Sequence, residues 1–217
     1  AGAPALVAAA VPEPQSRELA FHARGKISRG TLKTAIEGLG EPSRVRRNGQ
    51  IVPVELGQLR REIPFSDRPR TGVAIPWGDV STAYWSTGVA DVTVYQSGLS
   101  DRVDALKRFG FLLRRPLLRR RLQWWVERSV VGPDEQERAR AQMRVWAEAR
   151  GACGETATAE LTCPDGYAFT ADSAVTAVQA LLEEPGPGPR TGFLTPSKAF
   201  GAEFVTRMKG VEWVRRP

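Results

Sequence analysis

The chain has 217 residues, 41% of them hydrophobic, which is enough to bury one full core as a single large domain. Its 31 Lys and Arg against 24 Asp and Glu give a formal charge of +7, and between Leu106 and Arg128 alone eight basic residues stand against one acid, so the remainder is neutral and the high pI belongs to one segment. The two cysteines, Cys153 and Cys163, imply neither a disulfide scaffold nor a zinc site and fit a reducing, cytoplasmic compartment, and no run nears the ~20 apolar residues of a membrane span.

The opening AGAPALVAAAVPEP is small and apolar without a basic leader, and reads as the worn end of a helix from a longer parent rather than a signal remnant. Arg17 to Lys26 alternates as a strand, with Leu19, Phe21 and Ala23 on one face. His22, the only histidine, falls on the opposite face and is expected to be structural. Ser28 then caps a helix over Thr31 to Leu39. Gln58 to Phe65 and Thr71 to Ile75 read as strands across the polar turn Ser66 to Pro69. Pro76 has no N–H to give a ladder, so the second of these ends there, and Gly78 permits the turn that follows. Asp79 is expected to cap a short helix through Ala83 to about Ser86, its carboxylate accepting the N–H of Ser81 or Thr82. Gly88 suits the left-handed residue that closes this helix, and Val89 to Tyr95 forms the next strand. The stretch Gly78 to Thr82 is either a helix start aimed at an anion or a well-capped connector.

Pro116 divides the basic segment into two amphipathic helices, from about Asp101 and from about Leu117. Arg114, Arg115, Arg119, Arg120, Arg121, Trp124 and Trp125 form either a solvated outer face or a surface for an anionic membrane. Nucleic acid is disfavoured, because the cations are nearly all arginine on short helices with no recognisable binding motif. Gln142 to Ala149 and Glu155 to Thr162 make a hairpin around Gly151 and Gly154, with Cys153 at its turn and Cys163 at the far end of one strand. Tyr167 to Glu184 is the longest amphipathic helix and EPGPGP ends it; Pro196 to Met208 is a short helix and Val211 to Arg215 is strand-like. These elements make a single α+β domain over 1–217, a mixed, largely antiparallel sheet of about six strands with helices mainly on one face. No His-Asp-Ser set and no metal cluster is evident, and no catalytic residue is assigned. The candidate substrate- or cofactor-facing residues are Ser28, Gly30 and Thr31 in SRGT, then Trp77, Gly78, Asp79 and Ser81 in PWGDVST, and Trp85.

The segments SRGTLKTAIEGLG (28–40), VRRNGQIVPVELGQLRREIPF (45–65), IPWGDVSTAYWSTG (75–88), GPDEQERARAQMRVWAEAR (132–150) and TPSKAFGAEFV (195–205) together resemble, in order and spacing, the C-terminal portion of the saccharopine dehydrogenase-like NADP-dependent oxidoreductases, in the branch of the trans-acting enoyl reductases. The resemblance covers nearly the whole chain. It implies a domain that closes over the nicotinamide of NADP(H), shapes a pocket for an activated lipid double bond and forms homodimers, while a Rossmann domain in the parent chain or a separate subunit holds the cofactor. Relatives often carry a histidine or another aromatic where Trp85 stands, so no histidine acid carries over to that position. The chain itself shows no Rossmann fingerprint: its one glycine-rich stretch, Gly186 to Gly192, follows a helix, contains two prolines and lacks the spacing. Such a domain is expected to reduce nothing alone. The runner-up is a non-catalytic module that uses residues 101–128 to bind a membrane surface or an acidic partner.

Overall fold

Alternation along β1 (Pro14–Arg24) buries side chains on both faces, Leu19 toward one and Ala20 toward the other, which is the signature of a central strand. In the computed structural model, which describes residues 10–11, 13–38, 41–101, 103–105, 115–183 and 191–215, β1 lies between two long neighbours. β6 (Asp91–Ser97) pairs with it in parallel and β7 (Gln142–Gly151) antiparallel. β8 (Thr156–Cys163) and β9 (Glu212–Arg215) extend the sheet beyond β7. On the other side, β6 meets β2 (Ser43–Arg47) through Arg46 and Val92, and β2 carries β3 (Gln50–Val54). The second half of β6 pairs instead with β5 (Arg70–Ala74), which carries β4 (Arg60–Ile63). The sheet is therefore mixed and mostly antiparallel, with nine strands.

The helices are α1 (Arg29–Glu37), α2 (Asp79–Thr87), α3 (Pro116–Ser129), α4 (Glu135–Arg140), α5 (Gly166–Glu183) and α6 (Pro196–Phe200), followed by a 3-10 turn over Ala202–Arg207. Leu19, Val92, Val94, Ala147, Ala159 and Leu161 line one face of the sheet, and Val80 and Ala83 of α2 close over them. Phe169 of α5 and Val205 join the same cluster, so α2, α5 and the C-terminal turns form one helical layer. The opposite face buries Ala20, Val45, Ile63, Phe65, Tyr95 and Trp146. Charges ring that second cluster: Arg61 pairs with Glu18 and Glu148, and the fully buried Glu160 accepts from the Ser66 N–H at 2.8 Å and from Arg144 at 2.8 Å. Each partner supplies the hydrogen bonds that a buried charge requires. α1 and α3 pack on each other, with Lys33 and Glu127 at 3.3 Å and Gln123 and Glu37 at 3.3 Å.

Three sequence expectations change. The β2–β3 hairpin adds strands where none was expected, turning at Asn48 and Gly49, both left-handed at φ 49 and 77. The last helix is two pieces, because Gly201 at φ 88 breaks it between α6 and the 3-10 turn. Asp79 is not the cap of α2: Gly78 takes that place and Asp79 is the first helical residue, with no side-chain capping bond. The chain opening up to residue 9, the stretch 106–114 that includes Arg114, and 184–190 within the glycine-rich segment lie outside the described residues. Among the described helices, none is long and apolar enough to cross a membrane.

Candidate functional site

β1, β6 and β8 run in the same direction, so the chain leaves β1 and β8 at the same end of the sheet. Two turns meet there. After β1, Ser28 caps α1, its hydroxyl accepting the Thr31 N–H at 3.2 Å. After β8, the buried Asp165 carboxylate accepts the N–H groups of Tyr167 and Ala168, at 3.1 and 3.2 Å, and starts α5. That start aims the Tyr167 side chain back across the gap. Its hydroxyl receives the Ser28 N–H at 2.7 Å and lies 3.0 Å from the Thr31 hydroxyl, which is itself 3.0 Å from the Ser28 hydroxyl. Three hydroxyls and one backbone N–H thus form a closed cluster, and Tyr167 remains 38% exposed beside it. Burial pushes the Tyr167 phenol up, but the bonds from Ser28 and Thr31 outweigh it and hold its pKa below the ordinary phenol value. A phenol so placed can donate a hydrogen bond or a proton to an oxygen that approaches from solvent, and its neighbours stabilise the phenolate left behind.

α2 crosses the same helical layer. Trp77, which leads into it, packs on Phe21 with ring centroids 4.9 Å apart, while Thr87 in its last turn reaches back to Arg17 near the start of β1. Trp77 thus lies beside Phe21, while the Val80 carbonyl accepts from Arg46, which pairs with Val92 at the start of β6, level with Arg17; the first turn of α2, with Gly78, Asp79 and Ser81, is therefore anchored toward the end away from Ser28 and Tyr167. Trp85 lies apart. It faces out farther along α2, edge-on to Phe193 at 6.0 Å, beside the bond from the Ser86 hydroxyl to Thr195. The first-turn N–H groups of α2 are already engaged, Val80 with the Trp77 carbonyl and Ser81 and Thr82 with that of Gly78. The anion-binding reading of Gly78 to Thr82 thus loses three of its donors.

Arg17 is 1% exposed in this layer; among the described residues a terminal nitrogen donates to the Thr87 hydroxyl at 2.8 Å, and its Nε and second terminal nitrogen have no partner. Burial pushes its pKa down to about 10. His22 lies on the second face: Nδ1 is 2.8 Å from the Ser97 hydroxyl, and burial, with Arg70 and Arg24 nearby, lowers its pKa. A cleft of about 300 Å³ opens between α5 and the C-terminal turns, lined by Phe169, Ala177, Pro196, Phe204 and Met208. Of the basic residues, Arg115 precedes α3 as its N-cap, Arg120 and Arg121 are exposed on it, and Arg119 is half-buried. Trp124 and Trp125 are exposed.

Among the described residues, the starts of α1 and α2 do not offer a cradle for a dinucleotide. Its pyrophosphate needs a glycine-rich strand-to-helix turn with free N–H groups. Here the start of α1 is filled by the Ser28 and Tyr167 hydroxyls, and the start of α2 by its own turn carbonyls. Sequence reasoning missed Tyr167, Asp165 and Arg17. For Asp165 a local signal existed, an acid immediately before the helix.

No family model matches this chain, and no curated protein matches it. Its fold is similar to that of saccharopine dehydrogenase (L-Glu forming) from Saccharomyces cerevisiae, solved in apo, histidine-tagged form. The TM-score is 0.53 at 12% identity, over 90% of this chain and 64% of that one. At this identity the likeness is one of fold, a saccharopine dehydrogenase-like fold, and the chain spans less than two thirds of the solved neighbour.

Proposed function

We propose that this domain is the C-terminal, substrate-side and dimerisation half of an NADP-dependent reductase of the saccharopine dehydrogenase-like kind, inactive alone, with its cofactor held by a Rossmann domain in the same protein or in a separate subunit. The observation that carries the reading is the fold shared with a saccharopine dehydrogenase over 90% of the chain. The hydroxyl cluster supports it. When hydride adds to an activated double bond, as the enoyl-reductase branch would require, negative charge develops on the conjugated carbonyl oxygen. Tyr167 would donate to that oxygen, Ser28 and Thr31 would hold the phenol in place, and the exposed Trp77 would flank the apolar chain of a lipid substrate. α5 supports a covered surface: Ala171, Val175, Val178 and Leu182 recur every three or four residues on its solvent side, with Leu182 82% exposed. Such a stripe fits a second copy of the domain or the Rossmann half.

The test is a calorimetric titration of NADPH into the chain alone, then into the chain joined to whatever the coding region immediately upstream specifies, with a conjugated enoyl probe. The expected result is no binding in the first case, and binding with NADPH oxidation in the second. Stoichiometric micromolar binding to the chain alone would overturn the reading.

A further inference from the structure

α3 turns an unusual set of side chains outward. Val126, 1% exposed, points inward with Leu122 and Gln123 against α1. At 100° per residue the opposite face carries Leu117, Arg121, Trp124 and Arg128, flanked by Leu118, Arg120 and Trp125. Among the described residues nothing covers the apolar members: Leu117 is 77% exposed, Trp124 58% and Trp125 53%. Three arginines share that face, and the one acid of the helix, Glu127, is paired with Lys33 at 3.3 Å. The Arg128 guanidinium sits 4.2 Å from the centre of the Trp124 ring, so the charge and the indole are presented together.

We propose that α3 is a peripheral membrane anchor that lies flat in the headgroup layer of an anionic bilayer. Its 14 residues extend about 21 Å, too short to span and suited to lie in the interface plane. Leu117, Trp124 and Trp125 enter the acyl boundary, where indole rings favour the interface, and Arg120, Arg121 and Arg128 meet lipid phosphates. Another protein domain laid on this face would have to supply acids for three arginines and a hydrophobic bed for the indoles along the same line. Nucleic acid would satisfy the charges and leave Leu117 and Leu118 without purpose. An anionic lipid surface offers both chemistries to one face, phosphates for the arginines and an acyl boundary for Leu117 and the indoles. The inference is independent of the reductase reading, since it needs neither cofactor nor substrate.

The experiment uses the full chain with vesicles of phosphatidylcholine alone and with about one third phosphatidylserine, read by co-sedimentation and by tryptophan emission. The expected result is binding with a blue shift on the anionic vesicles and little on the neutral ones. Each arginine near the surface strengthens partitioning about fivefold, so Arg120→Gln, Arg121→Gln and Arg128→Gln combined should weaken it about a hundredfold. Trp124→Ala with Trp125→Ala should abolish the binding while circular dichroism stays unchanged. Equal binding by the wild-type and triple-arginine proteins overturns the proposal. So does equal binding to neutral vesicles, and so does tight binding to RNA or polyglutamate with no blue shift on any vesicle, which would assign the face to an acidic macromolecule.

Discussion

Replacing Arg17 with methionine is expected to stabilise this domain. The guanidinium is 1% exposed and, among the described residues, holds one hydrogen bond and leaves two nitrogens without partners. A pKa pushed down from the ordinary guanidinium range to about 10 corresponds to about 3 kcal/mol against the charged folded state. The charge-assisted bond to Thr87 returns about 1.5 kcal/mol. Methionine fills much of the same space without either contribution, so Arg17→Met should gain about 1–2 kcal/mol, the range seen when buried ions give way to apolar residues. For a chain of this length that is about 3–6 °C in Tm. Urea unfolding and calorimetry at pH 7 would read the gain. Its pH dependence has a definite sign: the folded pKa is depressed, so the cost of the charge is present below about pH 10 and disappears as pH rises from there toward the ordinary guanidinium range. The gap between variant and wild type should therefore close at high pH. A loss of 1 kcal/mol or more at pH 7 would refute the reasoning and show that Arg17 is a net stabiliser at the C-terminal end of α2.

The tyrosinate absorbance should show Tyr167 ionising below the ordinary phenol value and Tyr95, raised by burial, above it; Ser28→Ala with Thr31→Ala should move the first transition up, and an unchanged profile would dissolve the hydroxyl cluster. In urea, Asp79→Ala should cost about 0.3–1 kcal/mol through the helix dipole alone, and Ser28→Ala more, about 1–2 kcal/mol, because a true capping bond is lost. Equal midpoints would count against that distinction. Finally, a thiol reagent at neutral pH should consume one equivalent in the native protein and two in denaturant, since Cys153 is exposed and burial pushes the Cys163 thiol up to about 12.

What the sequence made legible was what lies within a few residues. Ser28 capping α1, Gly88 closing α2 at φ 75 and the β7–β8 hairpin all follow from local rules, and each is in place. The β2–β3 hairpin was hidden by charge, although Asn48-Gly49 is a strong turn signal. Arg46 occupies a buried strand position because it donates to the Val80 and Gly49 carbonyls and stacks 4.2 Å from the Tyr84 ring, partners that no local pattern reveals. Asp79 fails as a cap by one residue, because turn carbonyls had already engaged the amides it would have served. The candidate site was half visible for the same reason. Ser28 and Thr31 are neighbours in sequence, but Tyr167 reaches them only through the register of β1, β7 and β8.

The place of β1 also sets the order in which the molecule can assemble. Three hairpins, β2–β3, β4–β5 and β7–β8, need only short loops and can form within microseconds. β1 has no such neighbour: it meets β6 some seventy positions downstream and β7 more than a hundred downstream. Until β1 docks, the β2–β6 half and the β7–β9 half have no strand in common. The loop-closure entropy of both long pairings therefore falls on one event, and that event should limit the folding rate. While it is pending, two half-sheets expose unpaired edges at β6 and β7, and aggregation competes with folding at that stage.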